Sequence, residues 1–206
     1  MPIQFSNTHT QADLKQLESL LTPLLQEHYS HKPDTLHALN IACGRADETG
    51  LLCSTLAKVC KNLNLTGVDI RERELMEARH RWKSTPLSNI SFVQQDASRL
   101  SEIRSLPKGV DLVLMRHQNF WNSAETWMRI YDSALQQLSA KGKLIITSYF
   151  DLEHLQAVHA ISSLGATLLH TFQNPHSRVL STNPRKSVDR HIAVFSKLKA
   201  GNETFA

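Results

Sequence analysis

Apolar residues recur along this chain in two alternating rhythms. Short apolar runs, the signature of buried strands, alternate with longer stretches in which apolar positions return at the helical period. The runs "LHALNIAC", "LTGVDI", "NISFVQQD", "VDLVLMRH" and "GKLIITSYF" predict five strands. Between them, "ETGLLCSTLAKVCKNL" predicts a helix with Leu52, Leu56, Val59, Cys60 and Leu63 on one face. "ERELMEARHRWK" predicts a charged helix with Leu75, Met76 and Arg79 at helical spacing, and "SAETWMRIYDSALQQLS" gathers Trp127, Ile130, Tyr131, Ala134 and Leu138. A short segment around "SRLSEIRSL" joins the third and fourth strands. "LEHLQAVHAISSLG" predicts a helix stopped by Gly165, because glycine takes the left-handed conformation that closes a helix at no steric cost.

Strands separated by helices predict an α/β fold, with a parallel sheet covered on both faces. The last two runs, "ATLLHTF" and "HIAVFSKL", are separated by a polar, proline-containing stretch with no helical pattern. They predict an antiparallel hairpin at one edge of the sheet. Ahead of the first strand, "ADLKQLESLLTPLLQEHY" predicts an amphipathic helix over about 11–29, interrupted near Pro23. It is expected to cover the sheet or the site mouth, with a homodimer face as the alternative. One domain is expected over 1–206, with the alternating core at about 36–196 and a disordered tail at about 199–206.

Composition narrows the partners. A net charge of +4 leaves an anionic partner open, but the densest charged runs mix both signs, so nucleic acid is not favoured. No apolar run is long enough to cross a bilayer, and the start lacks a signal-peptide pattern, so a cytoplasmic protein is expected. Cys43, Cys53 and Cys60 lack a CxxC or Cys/His ligand spacing. Free thiols are expected, and no metal.

Candidate chemistry sits where the strands end, since open parallel sheets bind ligands beyond their carboxyl edge. The first strand runs into Ala42-Cys43-Gly44-Arg45-Ala46-Asp47-Glu48, a loop of small residues that lets backbone approach a ligand. The second ends on Asp69, whose two carboxylate oxygens suit paired ribose hydroxyls. The third ends on Asp96-Ala97, and the fourth runs into "RHQNFW". In that cluster His117 has the intrinsic pKa of a general base. Gln118 and Asn119 can hold a polar acceptor, and Phe120 and Trp121 can wall a flat or cationic group. Each strand-end aspartate could equally be a helix cap. "SYFDLEH" adds Tyr149, Asp151, Glu153 and His154, and the hairpin could bring Arg178, Arg185, Lys186 and Arg190 over the same mouth.

In order and spacing, "LNIACGRADET", "LTGVDIRE", "ISFVQQDAS" and "VDLVLMRHQNFW" resemble the motifs of class I S-adenosylmethionine-dependent methyltransferases. The resemblance implies a three-layer, Rossmann-like fold with a seven-stranded sheet, mostly parallel and with the last strand antiparallel. It implies that S-adenosylmethionine is held by Asn40, Ala42, Cys43, Gly44, Asp47, Asp69, Ile70, Asp96, Ala97 and Arg116. His117 and Asn119 would be catalytic, and Gln118, Phe120, Trp121 and Tyr149 would hold the acceptor. The chain departs from the family's first motif at Asn40, where an acidic residue is common, and at Ala42 and Ala46, where glycines are. The expected reaction is methylation of a small molecule. The alternatives are a non-catalytic binder of the same cofactor and an RNA methyltransferase.

Overall fold

The structure is a computed structural model that describes residues 8–83 and 89–197; the tail expected at 199–206 lies outside them. In chain order the elements are α1 (Thr8–His28), β1 (Thr35–Ile41), α2 (Thr49–Leu56), β2 (Asn62–Asp69), α3 (Glu72–Trp82) and β3 (Asn89–Gln94). A 3-10 turn (Ala97–Glu102) leads to β4 (Val110–Arg116), and a second (Phe120–Asn122) leads to α4 (Ala124–Gln137). Then come β5 (Leu138–Ser148), α5 (Asp151–Ser163), β6 (Thr167–Gln173), β7 (Val179–Leu180), β8 (Asn183–Ser187) and β9 (His191–Ser196).

Seven strands form one sheet in the order β3-β2-β1-β4-β5-β9-β6, while β7 and β8 pair separately. Strands β1 to β5 are mutually parallel, and β9 runs antiparallel to both β5 and β6. The chain moves outward from β1 in one direction, then returns to place β4 on its other side. That reversal puts the crevice of the sheet between the carboxyl ends of β1 and β4.

Side chains alternate across each strand, so one strand feeds two cores. Leu39 and Ile41 of β1 join Val113, Met115 and Ile146 beneath α4 and α5. Ala38 instead joins Leu112, Leu114, Ile145, Ile192 and Val194 beneath α1 and α2. Helix α3 packs separately, through Leu75, Ala78 and Trp82, on Cys43 and Ala46. Met76 is 62% exposed and Ala78 takes the inward place expected of it, because Leu75, Ala78 and Trp82 share the helical face that packs on Cys43 and Ala46.

Three expected boundaries move. Helix α1 runs unbroken through Pro23. An interior proline costs roughly 3 kcal/mol, but Leu17, Leu21 and Leu25 are all buried on the sheet, each stabilising by about 1.5–3 kcal/mol. Burial wins. The apolar stripe of α1 is thereby used within the molecule, covering the sheet. Helix α2 ends at Leu56, and "NLNLTGVD" belongs to β2, because Leu63 and Leu65 alternate inward at strand spacing. The polar stretch after β6 holds the short β7–β8 hairpin.

Candidate active site

The loop leaving β1 keeps the backbone of a glycine loop although two of its three small residues are alanine. Ala42, Gly44 and Ala46 all have positive φ, at 55°, 52° and 56°. An L-residue in that region carries a strain of about 1–2 kcal/mol, and such strain persists where surrounding structure enforces it. His117 (φ 59°) and Asp189 (φ 48°) are strained likewise, on the β4 exit and the β8–β9 turn. Relieving the strain should be measurable. Ala42→Gly is expected to raise stability by about 1 kcal/mol, read from the midpoint of urea unfolding; a lower midpoint would show that Ala42 is not held in the left-handed region. Ala42 is the cleaner test because the Ala46 methyl is buried against α3.

Asp69 organises the loop. Its Oδ2 accepts the Gly44 N–H at 2.7 Å, and its Oδ1 accepts the Arg71 backbone N–H at 2.9 Å. The Arg71 guanidinium lies on both oxygens, at 3.1 and 3.3 Å. Burial pushes the Asp69 carboxyl up, but the hydrogen bonds from Arg71 and Gly44 outweigh it and hold the carboxyl below its usual value. A Cβ on Gly44 would sit 3.1 Å from Arg71 Nη2, so the guanidinium covers the loop in this state.

Beside Asp69 lies a cavity of about 270 Å³, close to the lower size of small-molecule sites. Ala42, Asp69, Ile70 and Arg71 line one side, Gln95, Asp96 and Ala97 another, and Thr126, Trp127 and Ile130 of α4 the third. Ile70 is 65% exposed, a large apolar side chain presented to that space. Asp96 uses Oδ1 to accept from the Ser98 N–H and hydroxyl, so it caps the 3-10 turn and still faces the cavity. The structure thus brings Ala42, Asp69, Ile70, Asp96 and Ala97 around one space, with Gly44 tied to it through Asp69.

The crevice between β1 and β4 is bridged by a buried ion network. Arg116 Nη1 donates to Glu48 Oε1 at 3.0 Å, and its Nη2 donates to Asp189 Oδ2 at 2.7 Å. Thr147 Oγ1 donates to Asp189 Oδ1 at 2.8 Å. Burial opposes the charge on both Arg116 and Asp189, yet their mutual attraction wins, raising the guanidinium pKa and holding the Asp189 carboxyl far below the carboxylate range. His117 Nε2 lies 2.9 Å from Asp189 Oδ1 and 3.1 Å from its backbone N. Burial pushes the His117 ring down, and a neutral ring serves one of those partners, as donor to the first or acceptor from the second. Its other face stacks on Tyr149, centroids 3.9 Å apart, with Lys186 4.1 Å from the Tyr149 ring centroid.

A second, larger cleft of about 600 Å³ lies at the same edge, between the β4 and β5 exits and the β7–β8 hairpin. Trp121, Phe150, Leu152 and Pro184 give it apolar walls, and Asp151, Asn183, Arg185 and Arg190 a polar rim. Trp121 is 55% exposed, with its ring 4.9 Å from that of Phe150. Arg190 is paired with Asp151.

Other sequence-derived residues lie elsewhere. Cys43 is buried, its thiol pushed up by burial, with Sγ turned toward β2 and away from the 270 Å³ cavity. Asp47 pairs with Arg81 of α3. Phe120 stacks on Tyr131 in the core. Gln118 is buried, donating to Ser148 Oγ at 2.7 Å, and Asn119 is exposed on the β4 exit. Asn40 is buried within β1, with Nδ2 lacking a hydrogen-bond partner among the described residues. Arg71, Thr147 and Asp189 complete the site and were not singled out from the sequence, while Glu48 was read only as the end of the β1 exit loop. Of the first three, only Arg71, two residues past Asp69, had a local signal.

With this geometry in view, a family model described as "Methyltransferase domain" matches residues 32–192. The chain belongs to that methyltransferase family. S-adenosylmethionine is the methyl donor of this family. Among solved structures, the chain is similar to an S-adenosylmethionine-dependent methyltransferase from Clostridium acetobutylicum, with 13% identity, 89% of this chain and 92% of that one covered, and a TM-score of 0.67. It is also similar to the PH0226 protein of Pyrococcus horikoshii, with 18% identity, 93% and 92% covered, and a TM-score of 0.68. A third similar structure is an rRNA methylase from Streptococcus thermophilus, with 15% identity, 86% and 96% covered, and a TM-score of 0.59. At these identities the likeness shows the shared fold. No curated protein matches the sequence. Among the described residues no helix is long and apolar enough to cross a membrane.

The residues present fit the family's donor. The 270 Å³ cavity offers a carboxylate for ribose hydroxyls and an apolar wall with a further carboxylate for adenine. At the start of α2, Glu48 Oε2 is buried and has no hydrogen-bond partner among the described residues, an acceptor open to a polar or cationic group.

Proposed function

We propose that this methyltransferase acts on a small acceptor with a flat apolar face and an anionic group, seated in the 600 Å³ cleft beside the β4 exit. The composition of that cleft carries the reading. Trp121, Phe150 and Pro184 supply apolar wall, and Arg185, exposed on the rim, supplies a cation for a carboxylate or phosphate. The volume is that of a site for one small molecule.

In this reading Asp69 accepts the ribose hydroxyls where Arg71 now lies, Ile70 covers the adenine, and Asp96 with Ala97 meets its edge. Bound there, S-adenosylmethionine supplies an electrophilic sulfonium methyl. The chain's own task is then alignment, which can contribute several kcal/mol to the barrier. Trp121 lines the larger cleft and Asn119 is exposed two residues before it, so these two would orient the acceptor. His117 is a positioning residue here: committed to Asp189 and stacked under Tyr149, it sets the wall rather than receiving a proton.

Calorimetry with S-adenosylhomocysteine, followed by turnover with a metabolite extract, tests the proposal. One binding site and methylated product are expected, with Trp121→Ala raising the acceptor KM at least tenfold and leaving cofactor affinity unchanged. Cofactor binding without turnover on any fraction would make the chain a binder only. The exposed Trp121, which shares its cleft with Arg185, would also stack an unpaired nucleobase. Product formed on RNA and lost steeply with salt would replace the small-molecule reading.

A further inference from the structure

The far end of α1 brings together three side chains unrelated to either cavity. Glu27 and His28 stand in its last turn, and His170 stands on β6, the edge strand of the sheet. One ligand atom from each lies within 4.8 Å of the other two. Glu27 Oε1 and His170 Nε2 are 3.4 Å apart, and the two imidazole centroids are 5.3 Å apart. Ligand atoms around a tetrahedral zinc with bonds of about 2.0–2.1 Å are separated by about 3.4 Å, so the glutamate–histidine pair already has that spacing. His28 Nε2 is buried and makes no hydrogen bond among the described residues, although a buried polar nitrogen normally has a partner.

We propose that Glu27, His28 and His170 form a site for a divalent transition metal of the zinc type. The donor set supports the assignment: two imidazoles and one carboxylate suit zinc, nickel or copper, whereas calcium and magnesium require an oxygen shell. Lys143 lies close enough to act on the His28 ring electrostatically. A fourth position is left for water. The consequence is mechanical. At its other end α1 is held by the Asp13–Arg178 ion pair, which reaches the segment before β7, so a metal here would fasten both ends of the covering helix to the hairpin side of the sheet. Sequence spacing could not reveal the site, because His170 is distant from the other two ligands along the chain.

Zinc titrated into metal-free full-length protein by calorimetry, with calcium as control, tests this. One zinc site is expected, absent for calcium, with a rise in thermal midpoint on zinc addition. His170→Ala and Glu27→Gln, both partly exposed positions, should fold normally without metal by circular dichroism, weaken zinc binding at least tenfold, and lose the thermal shift. Lys143→Met, which removes the neighbouring cation, should leave zinc binding intact or tighten it. Equal zinc affinity in wild type and His170→Ala, or equal thermal shifts, overturns the proposal.

Discussion

Asp189→Ala is expected to cost about 3–5 kcal/mol of folding stability, the range for breaking a buried ion pair by removing one partner. The Asp189 carboxylate is 2% exposed. It takes three hydrogen bonds from Arg116 and one from Thr147. Without it, Arg116 keeps one hydrogen bond to Glu48, and a guanidinium cannot relieve the deficit by losing its proton. Set against a total stability of roughly 5–15 kcal/mol, the loss should appear as a large fall in the urea midpoint with little change in slope. Glu48→Ala, which removes one bond rather than three, should cost less. Replacing Glu48, Arg116 and Asp189 together by Gln, Met and Leu should recover much of it, because the charge left stranded is then gone. A loss below about 1 kcal/mol for Asp189→Ala would give the pair the worth of an exposed one and contradict its burial. The effect reaches beyond stability. Asp189 ties the β8–β9 turn to β4 and β5, and β8 supplies the wall of the larger cleft.

That network also marks where the sequence stops being legible. Parallel strands, their order of appearance and the terminal antiparallel pair could be read because hydrophobic period and connection length are local properties. Asp69, Ile70, Asp96 and Ala97 could be placed near one another because strand ends in a parallel sheet share an edge. The charges that close the crevice could not. Arg116 meets Glu48 and Asp189 across 68 and 73 residues, and nothing near Asp189 in "KSVDRH" separates it from a solvated turn residue. For the same reason Phe120 and Trp121 were indistinguishable as neighbours, yet one packs on Tyr131 and the other stands in the cleft. The helix ends moved where local propensity met tertiary burial: Pro23 was overruled by three buried leucines, and the end of α2 yielded to the alternation of β2. In the β1 exit loop, alanines stand at two positions where the resembled family has glycines. The backbone keeps the shape and bears strain, which residue identities alone do not disclose.

The remaining large effect concerns the donor itself. Asp69→Ala should weaken binding of S-adenosylhomocysteine at least tenfold, or about 1.4 kcal/mol, because a charged acceptor for two hydroxyls is lost and each such bond contributes about 1.5–3 kcal/mol. The same carboxylate also holds the Gly44 and Arg71 backbone N–H groups, so part of the loss would come from a loosened loop. Asp69→Asn separates the two causes: its amide oxygen still accepts from one backbone N–H and keeps the loop near its place, but it offers a single acceptor and no charge. Arg71→Ala provides the opposite arm. In the proposed reading the guanidinium occupies the Asp69 oxygens that ribose hydroxyls would take, and its side chain is 59% exposed, so it can leave at little cost. Its removal should leave affinity unchanged or improve it. Calorimetry on the three variants therefore has a defined order, with Arg71→Ala at or above wild type, Asp69→Asn below, and Asp69→Ala weakest. If Arg71→Ala instead loses affinity as strongly as Asp69→Ala, the guanidinium is a ligand of the donor rather than its competitor, and the ribose must be sought away from Asp69.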